Sequence, residues 1–312
     1  MIIENLNKYN NTQIASLVNS DNTIRLIVNE IIEKDKIEVL KEVFVSKNTL
    51  ITLVFVLNNN NIINYKNFEC VKENIVAIES YNRKTELESI SGISLFDHLK
   101  KIVIADLYKK DIDLSELKAI PSLEEIVLLD NNLTKVQHSI ISGLRNLKIL
   151  KLKGLDTTFL LAPLPNVRQL ECYNLKRGVA LGEKFPNLKK ISIHRAVKNL
   201  EIDFLIYLTH LVSLELDGLS QIQKIPNLNT LHNLRSLWLN NMKNLESFPK
   251  LNEYMEFIKI SGNFSNLNIE CLSELTPDRL PYLKRIAIDL GSDKKSDLIL
   301  NRFLNICELS KW

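Results

Sequence analysis

Histidines and cysteines are the side chains that most often bind metals or act as nucleophiles, so their spacing is the first place to look for chemistry. The cysteines are few, far apart and without a CxxC pair, at Cys70, Cys172, Cys271 and Cys307. This spacing matches neither a zinc site nor a dense disulfide framework, and it predicts free thiols in a reducing compartment. Histidines stand tens of residues apart, at His98, His138, His194, His210 and His232. Such spacing predicts no metal site.

Short catalytic and nucleotide-binding motifs are absent from the sequence. None of the patterns GxxxxGK[ST], GxGxxG, HExxH or GxSxG occurs, and the whole chain has only 8 glycines, which disfavours a phosphate-binding loop. The sequence therefore predicts no catalytic residues, no cofactor and no enzymatic activity. A hidden enzyme would need a pocket of converging titratable groups, and residues 176–186 and 261–280 are the only segments with spare length for one.

The overall charge is close to balanced, with 40 Lys+Arg against 37 Asp+Glu in 312 residues. A strong nucleic-acid binder usually shows a clear basic excess, so the sequence does not predict a nucleic-acid partner. The start of the chain, Met1–Lys8, has no basic segment followed by a long apolar run, and the most apolar stretch, Leu50–Leu57, is too short to span a bilayer. We therefore expect a cytoplasmic, monomeric protein without a membrane span.

Leucine is concentrated in the later part of the chain, with 45 of 53 leucines in residues 95–312. The segment Leu123–Leu133 fits the pattern LxxLxLxxNxL, and its LxxLxL frame recurs at intervals of 20–28 residues. The frames begin at Leu99, Leu123, Leu147, Val167, Leu188, Leu211, Leu234, Met255 and Leu283. Two weaker frames are predicted at Ile75/Ile78 and Ile51/Val54/Val56.

These frames resemble the leucine-rich repeat family over residues 50–290. The resemblance implies an α/β solenoid with a curved parallel sheet, in which each repeat contributes one strand. Position eight of the frame departs from the family pattern, which has Asn or Cys there. It is asparagine only at Asn131 and Asn263, and the other repeats carry Leu107, Leu155, Leu175, Ala196, Leu219, Met242 and Gly291. We expect these mostly apolar residues to fill core volume in an irregular array.

A solenoid has two open ends that must be covered, and the sequence predicts helical caps there. Residues 12–46 show helical spacing with a break at Asp21–Thr23, and Ser296–Asp297 precede an amphipathic segment up to Leu309. The predicted organisation is a helical N-terminal cap at 1–46, a repeat array at 47–292 and a capping helix at 293–312.

Alternation along each strand should turn the leucines to the core and the intervening residues, two, four and six after each frame start, to water. Early repeats offer an apolar patch of Val103, Ala105, Val127 and Leu129, which the N-terminal cap could cover. The middle repeats offer aromatic and charged side chains. The predicted partner-binding residues are Lys151, Lys153, Tyr173, His194, Glu215, Asp217, Trp238, Asn240, Phe257 and Lys259.

A sheet whose backbone is already paired offers only side chains, and exposed tryptophan and tyrosine are common anchors of protein interfaces. The sequence therefore predicts a non-enzymatic scaffold that binds another protein. The family resemblance implies a toxin-neutralising immunity protein or, alternatively, a host-directed effector. A further alternative is an anion or nucleic-acid binder that uses Lys151, Lys153, Lys190 and Arg195.

Overall fold

The computed structural model of the chain contains two compact units, residues 1–152 and 153–312. The described residues are 1–17, 23–30, 32–47, 49–56, 63–81, 86–105 and 108–310. The predicted frame residue Leu107 and the predicted break residues 21–22 lie outside them.

Parallel strands follow one another in chain order in both units. Those of the first unit are β1 (Ile2–Glu4), β2 (Thr23–Val28), β3 (Leu50–Phe55), β4 (Ile75–Ser80), β5 (Lys101–Ile104), β6 (Glu125–Leu128) and β7 (Ile149–Lys153), which ends at the division. Those of the second unit are β8 (Gln169–Leu175), β9 (Lys190–Ala196), β10 (Ser213–Asp217), β11 (Ser236–Asn240), β12 (Phe257–Ser261), β13 (Arg285–Asp289) and β14 (Glu308–Ser310).

Helices occupy the return segments between strands. The α-helices are α1 (Asn11–Leu17), α2 (Lys34–Lys47), α3 (Lys135–Ile141), α4 (Leu181–Lys184) and α5 (Asp293–Leu300). Short 3-10 helices lie at Leu6–Lys8, Tyr65–Asn74, Ile93–Leu95, Ser115–Ala119, Thr157–Phe159, Asp203–Tyr207, Ile269–Glu274 and Asn301–Phe303. In the part of the chain that the structure describes, no helix is long and apolar enough to cross a membrane.

The core of each unit is built by the alternation that the LxxLxL frame predicts. In β10, Leu214 and Leu216 are buried while Ser213, Glu215 and Asp217 are half-buried. The registers of neighbouring strands place equivalent frame residues side by side, so the second unit contains a buried row of Leu170, Ile191, Leu214, Leu237, Ile258 and Ile286. Each leucine is covered only because the next repeat stacks on it. The predicted solenoid of one strand per repeat is thereby confirmed within each unit.

The helical interpretation of residues 12–46 is wrong in one respect. The segment contains α1 and α2, but Thr23–Val28 is strand β2, which pairs in parallel with both β1 and β3. Ile24, Leu26 and Val28 alternate at a period of two, and their burial on one side of the sheet outweighs the helical spacing of the wider segment. Strands β1 and β2 therefore lie inside the predicted cap, whose boundaries stay a prediction.

The predicted frame Ile51/Val54/Val56 is correct at Ile51, which pairs with Ile75, and is displaced by one residue after it. Leu53 pairs with Ile78, whereas Val54 pairs with Glu79 on the opposite side of the sheet. The register shifts between Ile51 and Thr52, and one such slip exchanges the two faces of a strand. β3 therefore belongs to a genuine repeat that keeps the predicted start at Ile51, which pairs with Ile75, and continues through the buried Leu53 and Phe55.

The C-terminal helix begins at residue 293, where the predicted capping helix begins, but it ends earlier than predicted. α5 spans Asp293–Leu300, Ser296 lies inside it and accepts a hydrogen bond from Leu290 N–H, and a 3-10 turn follows at Asn301–Phe303. The chain then adds strand β14 beside β13, with an ion pair between Arg285 and Glu308. The segment predicted as a single capping helix is thus a helix followed by a final strand.

Apolar residues at position eight do fill the core, as predicted. Leu155, Leu175, Leu219 and Met242 are fully buried. The missing asparagine bonds are replaced at another position, one residue before the frame start. There the amides of Asn146, Asn187 and Asn233 donate to carbonyls of the preceding repeat, at Pro121 (2.7 Å), Pro165 (3.0 Å) and Thr209 (3.0 Å) respectively.

A second repeated device ends the strands. The residue seven after the frame start has a positive φ in six consecutive repeats, at Gly154, Asn174, Arg195, Gly218, Asn241 and Gly262. In several of them its N–H donates to the last carbonyl of the next strand, as from Gly218 to Asn240 (2.9 Å) and from Asn241 to Ser261 (3.0 Å). Glycine and asparagine suit this left-handed turn, whereas Arg195 carries its steric cost.

We predict that Arg195→Asn raises the free energy of unfolding by about 0.5–1 kcal/mol, because asparagine tolerates the left-handed region better than arginine. Urea unfolding monitored by circular dichroism measures the change. Lys198→Asn, at an exposed neighbouring position without a positive φ, is the matched control. A destabilised Arg195→Asn protein would contradict the steric account.

Glu116 joins two repeats of the first unit. Its carboxylate accepts hydrogen bonds from Gly92 N–H (2.8 Å), Ser94 N–H (3.3 Å) and Ser94 Oγ (2.9 Å), which lie at the start of the helix Ile93–Leu95. Burial opposes ionisation of this carboxyl, but the hydrogen bonds together outweigh burial, so the pKa of Glu116 is lowered.

We predict that Glu116→Ala lowers the free energy of unfolding by about 1.5–3 kcal/mol at neutral pH, the range for hydrogen bonds to a charged group. A carboxyl whose pKa is lowered in the folded state stabilises above its unfolded pKa and ceases to do so as pH falls through the folded pKa. The difference from the unmodified protein should therefore shrink in acid. Urea titrations at neutral and acidic pH, with the exposed Glu88→Ala as control, measure it; a difference independent of pH would contradict this role.

Candidate functional site

The predicted binding residues all lie on strands at half-buried positions opposite the leucine core. Lys151 and Lys153 lie on β7, and the other eight lie on β8 through β12 of the second unit. Trp238 is half-buried and not sealed in the core. We call the side chains two, four and six residues after each frame start in β8–β13 the outer face of the second unit.

Strand registers bring the residues of the outer face into rows. Tyr173 is beside His194 and His194 beside Asp217, while Glu215 lies between Ser192 and Trp238. These rows are the ones that the frames predict. The structure adds the contacts within them, which separate into two clusters.

The first cluster, on β8–β10, is acidic, and we call it the acidic corner: Glu171, Tyr173, Ser192, His194, Glu215 and Asp217. The Tyr173 hydroxyl donates to Glu171 (2.6 Å), and its ring stacks on His194 with centroids 4.7 Å apart. His194 approaches Asp217 through Nδ1 (3.4 Å) and Glu171 through Nε2 (3.8 Å). Asp217 also accepts from the Asn241 amide (3.4 Å), and Ser192 Oγ donates to Glu215 (2.9 Å).

The second cluster, on β11–β13, is aromatic and cationic, and we call it the aromatic cluster: Trp238, Phe257, Lys259 and Arg285. The rings of Trp238 and Phe257 have centroids 5.4 Å apart, and Trp238 Nε1 donates to Ser236 Oγ (3.0 Å). Lys259 Nζ lies 5.2 Å from the Trp238 ring centroid, and Arg285 Cζ lies 5.7 Å from that of Phe257. These cation–π contacts favour the observed ring positions on a surface that water reaches.

Glu171, Ser192 and Arg285 were not among the predicted binding residues, although each makes contacts with residues that were. All three stand four or two residues after a frame start, in the same outward columns, so their position signalled an outer-face location. Their contacts depend on side-chain length and rotamer, which a column does not specify.

Two of the predicted outward patches differ from expectation. Val103 and Val127 are buried, with 5% and 6% exposure, while Ala105 and Leu129 are half-buried, so the early strands do not present these valines as an open apolar patch. The basic residues Lys190 and Arg195 are exposed, but they lie five positions apart at opposite ends of β9, on the order of 16 Å by strand geometry. These two cations of the proposed basic patch are therefore not close neighbours.

Cavities occur in both of the segments with spare length. One of about 280 Å³ lies between the returns after β8 and β9, and the ring of Phe204 there packs where a Cβ on Gly178 would stand. Another of about 270 Å³ lies near Pro249 and Leu280. The first is lined by the titratable residues Lys176, Arg177, Glu201, Asp203 and Tyr207, but by no serine, cysteine or histidine. The absence of enzymatic activity stays a prediction.

The cysteines are all free thiols, and Cys172, which replaces a frame leucine, is fully buried. Burial raises its pKa, which makes it an unreactive apolar side chain. In the described ranges, no group of three or more His, Cys, Asp or Glu residues is arranged to hold a metal ion.

Tyr173 is held in its neutral form by its surroundings. Burial first, and then the hydrogen bond to Glu171 and the negative charges of Glu171, Glu215 and Asp217, raise the pKa of Tyr173. The hydroxyl therefore remains a donor to Glu171 and fixes the ring against His194.

We predict that Glu171→Gln lowers the pKa of Tyr173, because a neutral acceptor no longer opposes formation of the phenolate. Titration of tyrosinate absorbance with pH should show one tyrosine ionising at lower pH than in the unmodified protein. The same substitution in a Tyr173→Phe background should leave the titration curve unchanged. A shift that persists in that background would assign the effect to another tyrosine.

Comparisons with known proteins support the fold. No family model and no curated protein matches the sequence. Among solved structures, the TLR13–ssRNA13 complex is similar to 99% of this chain at 16% identity with a TM-score of 0.51, and the chain spans 61% of the TLR13 chain. An internalin, inlF from Listeria monocytogenes, is similar over 96% of this chain and 87% of its own, at 16% identity and a TM-score of 0.47.

The leucine-rich repeat domain of the type III effector XCV3220 (XopL) is similar over 73% of this chain and 76% of its own, at 15% identity and a TM-score of 0.37. Each described repeat contributes a parallel strand, with its frame leucines in the core. The recurring LxxLxL frame, the strands that it forms and the likeness to the TLR13 chain show that this chain has a leucine-rich repeat fold.

Proposed function

We propose that the chain is a recognition scaffold that binds another protein through the outer face of its second unit. The proposal rests on aromatic rings that lie beside charged side chains of both signs on one surface. Trp238 and Phe257 are held by Lys259 and Arg285, and Tyr173 is held by Glu171 and His194. Aromatic side chains that are already ordered lose little conformational entropy on binding, which suits them as anchors.

A small-molecule site is less well supported by this surface. The backbone of β8–β13 is committed to strand pairing, and the outer face presents rows of side chains along several strands. Binding sites for small molecules are usually concave pockets with a few converging polar groups. A broad mosaic of aromatic and charged side chains fits the central part of a protein interface.

Nucleic acid is the second candidate, because TLR13 was solved with single-stranded RNA. The likeness is at 16% identity, and it extends to the fold alone. Against RNA binding, the acidic corner would repel phosphates, and the near-balanced net charge of +3 gives no general attraction. We therefore favour a protein partner.

We predict that Trp238→Ala combined with Tyr173→Ala weakens capture of the native protein partner by about thirtyfold, which corresponds to roughly 2 kcal/mol, as for interface anchors. Quantitative pull-down followed by titration with the identified partner measures the loss. Tyr207→Ala removes an exposed aromatic ring that lies outside the outer face and serves as the matched control. Unchanged capture by the double variant would refute the proposal.

The RNA alternative is tested in parallel by titrating a mixed single-stranded oligonucleotide pool at low and at physiological salt. Phosphate binding would weaken steeply with salt, in proportion to the number of phosphates neutralised. A shift that is lost in a variant lacking the charges of Lys190 and Arg195 would support nucleic acid over protein as the partner.

The biological direction of the interaction is a narrower proposal. A toxin as partner would make the chain a toxin-neutralising immunity protein, and a host protein as partner would make it an effector. Co-expression of the chain with the captured partner distinguishes these roles, since an immunity protein restores growth that the partner alone suppresses.

A further inference from the structure

The acidic corner has charge and shape that single out one chemical group on a partner. Glu215 and Asp217 are two residues apart on β10, so both carboxylates emerge on the outer face about 7 Å apart along the strand. Their hydrogen-bonding partners are Ser192, His194 and Asn241, none of which carries a permanent positive charge. Within the part of the chain that the structure describes, no lysine or arginine lies within ion-pair distance of either carboxylate.

The cations on the adjoining strand β9 do not form ion pairs with these carboxylates. Lys190 is the first residue of β9. The Arg195 side chain lies close to Gly218, the residue in the left-handed turn that follows β10. At the other end of the outer face the charge is reversed, with Lys259 and Arg285 over the aromatic rings. Lys259 and Arg285 thus lie on β12–β13, apart from Glu171, Glu215 and Asp217 on β8–β10, while Lys190 on β9 and Asp289 at the end of β13 also belong to the outer face.

A stacked aromatic pair lies beside the two carboxylates, and each ring has one face that the other ring does not cover. Tyr173 and His194 stack with an interplanar angle of 20°, and the hydrogen bond from Tyr173 to Glu171 fixes the orientation of the pair. The side chains of His194 and Asp217 keep 18% and 34% of their exposure, so an incoming group reaches them. A guanidinium group is planar, stacks on aromatic faces and donates up to five hydrogen bonds in a fork that matches carboxylates.

We propose that the acidic corner is a binding site for an arginine side chain of the partner protein. The guanidinium lies against the Tyr173–His194 pair and donates to Glu215 and Asp217. A lysine would pair with the carboxylates but would not stack on the aromatic rings, because its ammonium is a compact point charge without a planar face. This inference rests on the proposed function, since it assigns the partner's chemistry to one part of the same surface.

The test uses the full chain and a defined probe, the acetylated and amidated peptide Gly-Gly-Arg-Gly-Gly. Its binding is followed by NMR through the ring signals of Tyr173 and His194, assigned with Tyr173→Phe and His194→Gln. The matched control peptide replaces arginine with citrulline, which keeps the planar shape and loses the charge. We expect a saturable shift with the arginine peptide and binding at least about tenfold weaker with citrulline, as for loss of charge-assisted hydrogen bonds.

On the protein side, Glu215→Gln with Asp217→Asn should weaken the arginine peptide by about tenfold or more, while preserving side-chain shape. Glu270→Gln, at an exposed carboxylate of the same unit outside the outer face, should leave the affinity unchanged. Thermal unfolding of each variant checks that the fold is kept. Equal binding of the arginine and citrulline peptides, equal binding of a lysine peptide, or full affinity in the Glu215→Gln/Asp217→Asn variant would each overturn the proposal.

The outcome separates this inference from the proposed function. Phe257→Ala, on β12 two strands from the carboxylates of β10, should leave peptide affinity intact while it weakens the native partner. Loss of partner binding in Phe257→Ala, together with peptide binding that does not depend on the two carboxylates, would refute the arginine site and keep the recognition role. An intact arginine site with partner binding insensitive to the whole outer face would refute the recognition role instead.

Discussion

Every other feature of this protein depends on the alternation of side-chain direction along a parallel strand. In each repeat the frame residues point to one side of the sheet, where a single repeat cannot cover them. Stacking of like repeats turns these residues into buried rows such as Leu214 beside Leu237. The same geometry places the intervening residues on the other side of the sheet, where they form the outer face and lie outside the leucine core.

The frames predicted the strands best where the leucines are regular. From Leu99 onward the predicted columns agree with the observed registers, because strand spacing and burial leave one register that covers the leucines. The early strands were harder to predict. Residues 23–28 carry only one leucine, at Leu26, and the register shift beside Ile51 moved Val54 to the opposite face. A slip of one residue leaves no trace in composition, and only the neighbouring strand reveals it.

The candidate site shows a similar division between position and contact. Sequence position placed Tyr173, His194 and Trp238 on the outer face, because that follows from the period of the strand alone. It did not indicate that Tyr173 would bind Glu171 or that Lys259 would lie over Trp238, since these contacts depend on rotamers in adjoining repeats. The asparagine bonds one residue before the frame were also missed, because the family pattern directs attention to position eight.

Those asparagine bonds, like the left-handed turns, reach only the adjoining repeat, so cohesion within each unit is short-ranged along the chain. Under mechanical load, the repeats of such a solenoid should detach one at a time, and a repeat with one neighbour should detach before a repeat with two. β14 is three residues long and pairs with β13 alone among the described strands, so we expect it to detach before the longer strands that have two neighbours. The strands β8–β12, which carry the acidic corner and Trp238, keep their neighbours when β14 detaches. Tension at that end should therefore leave both surfaces folded.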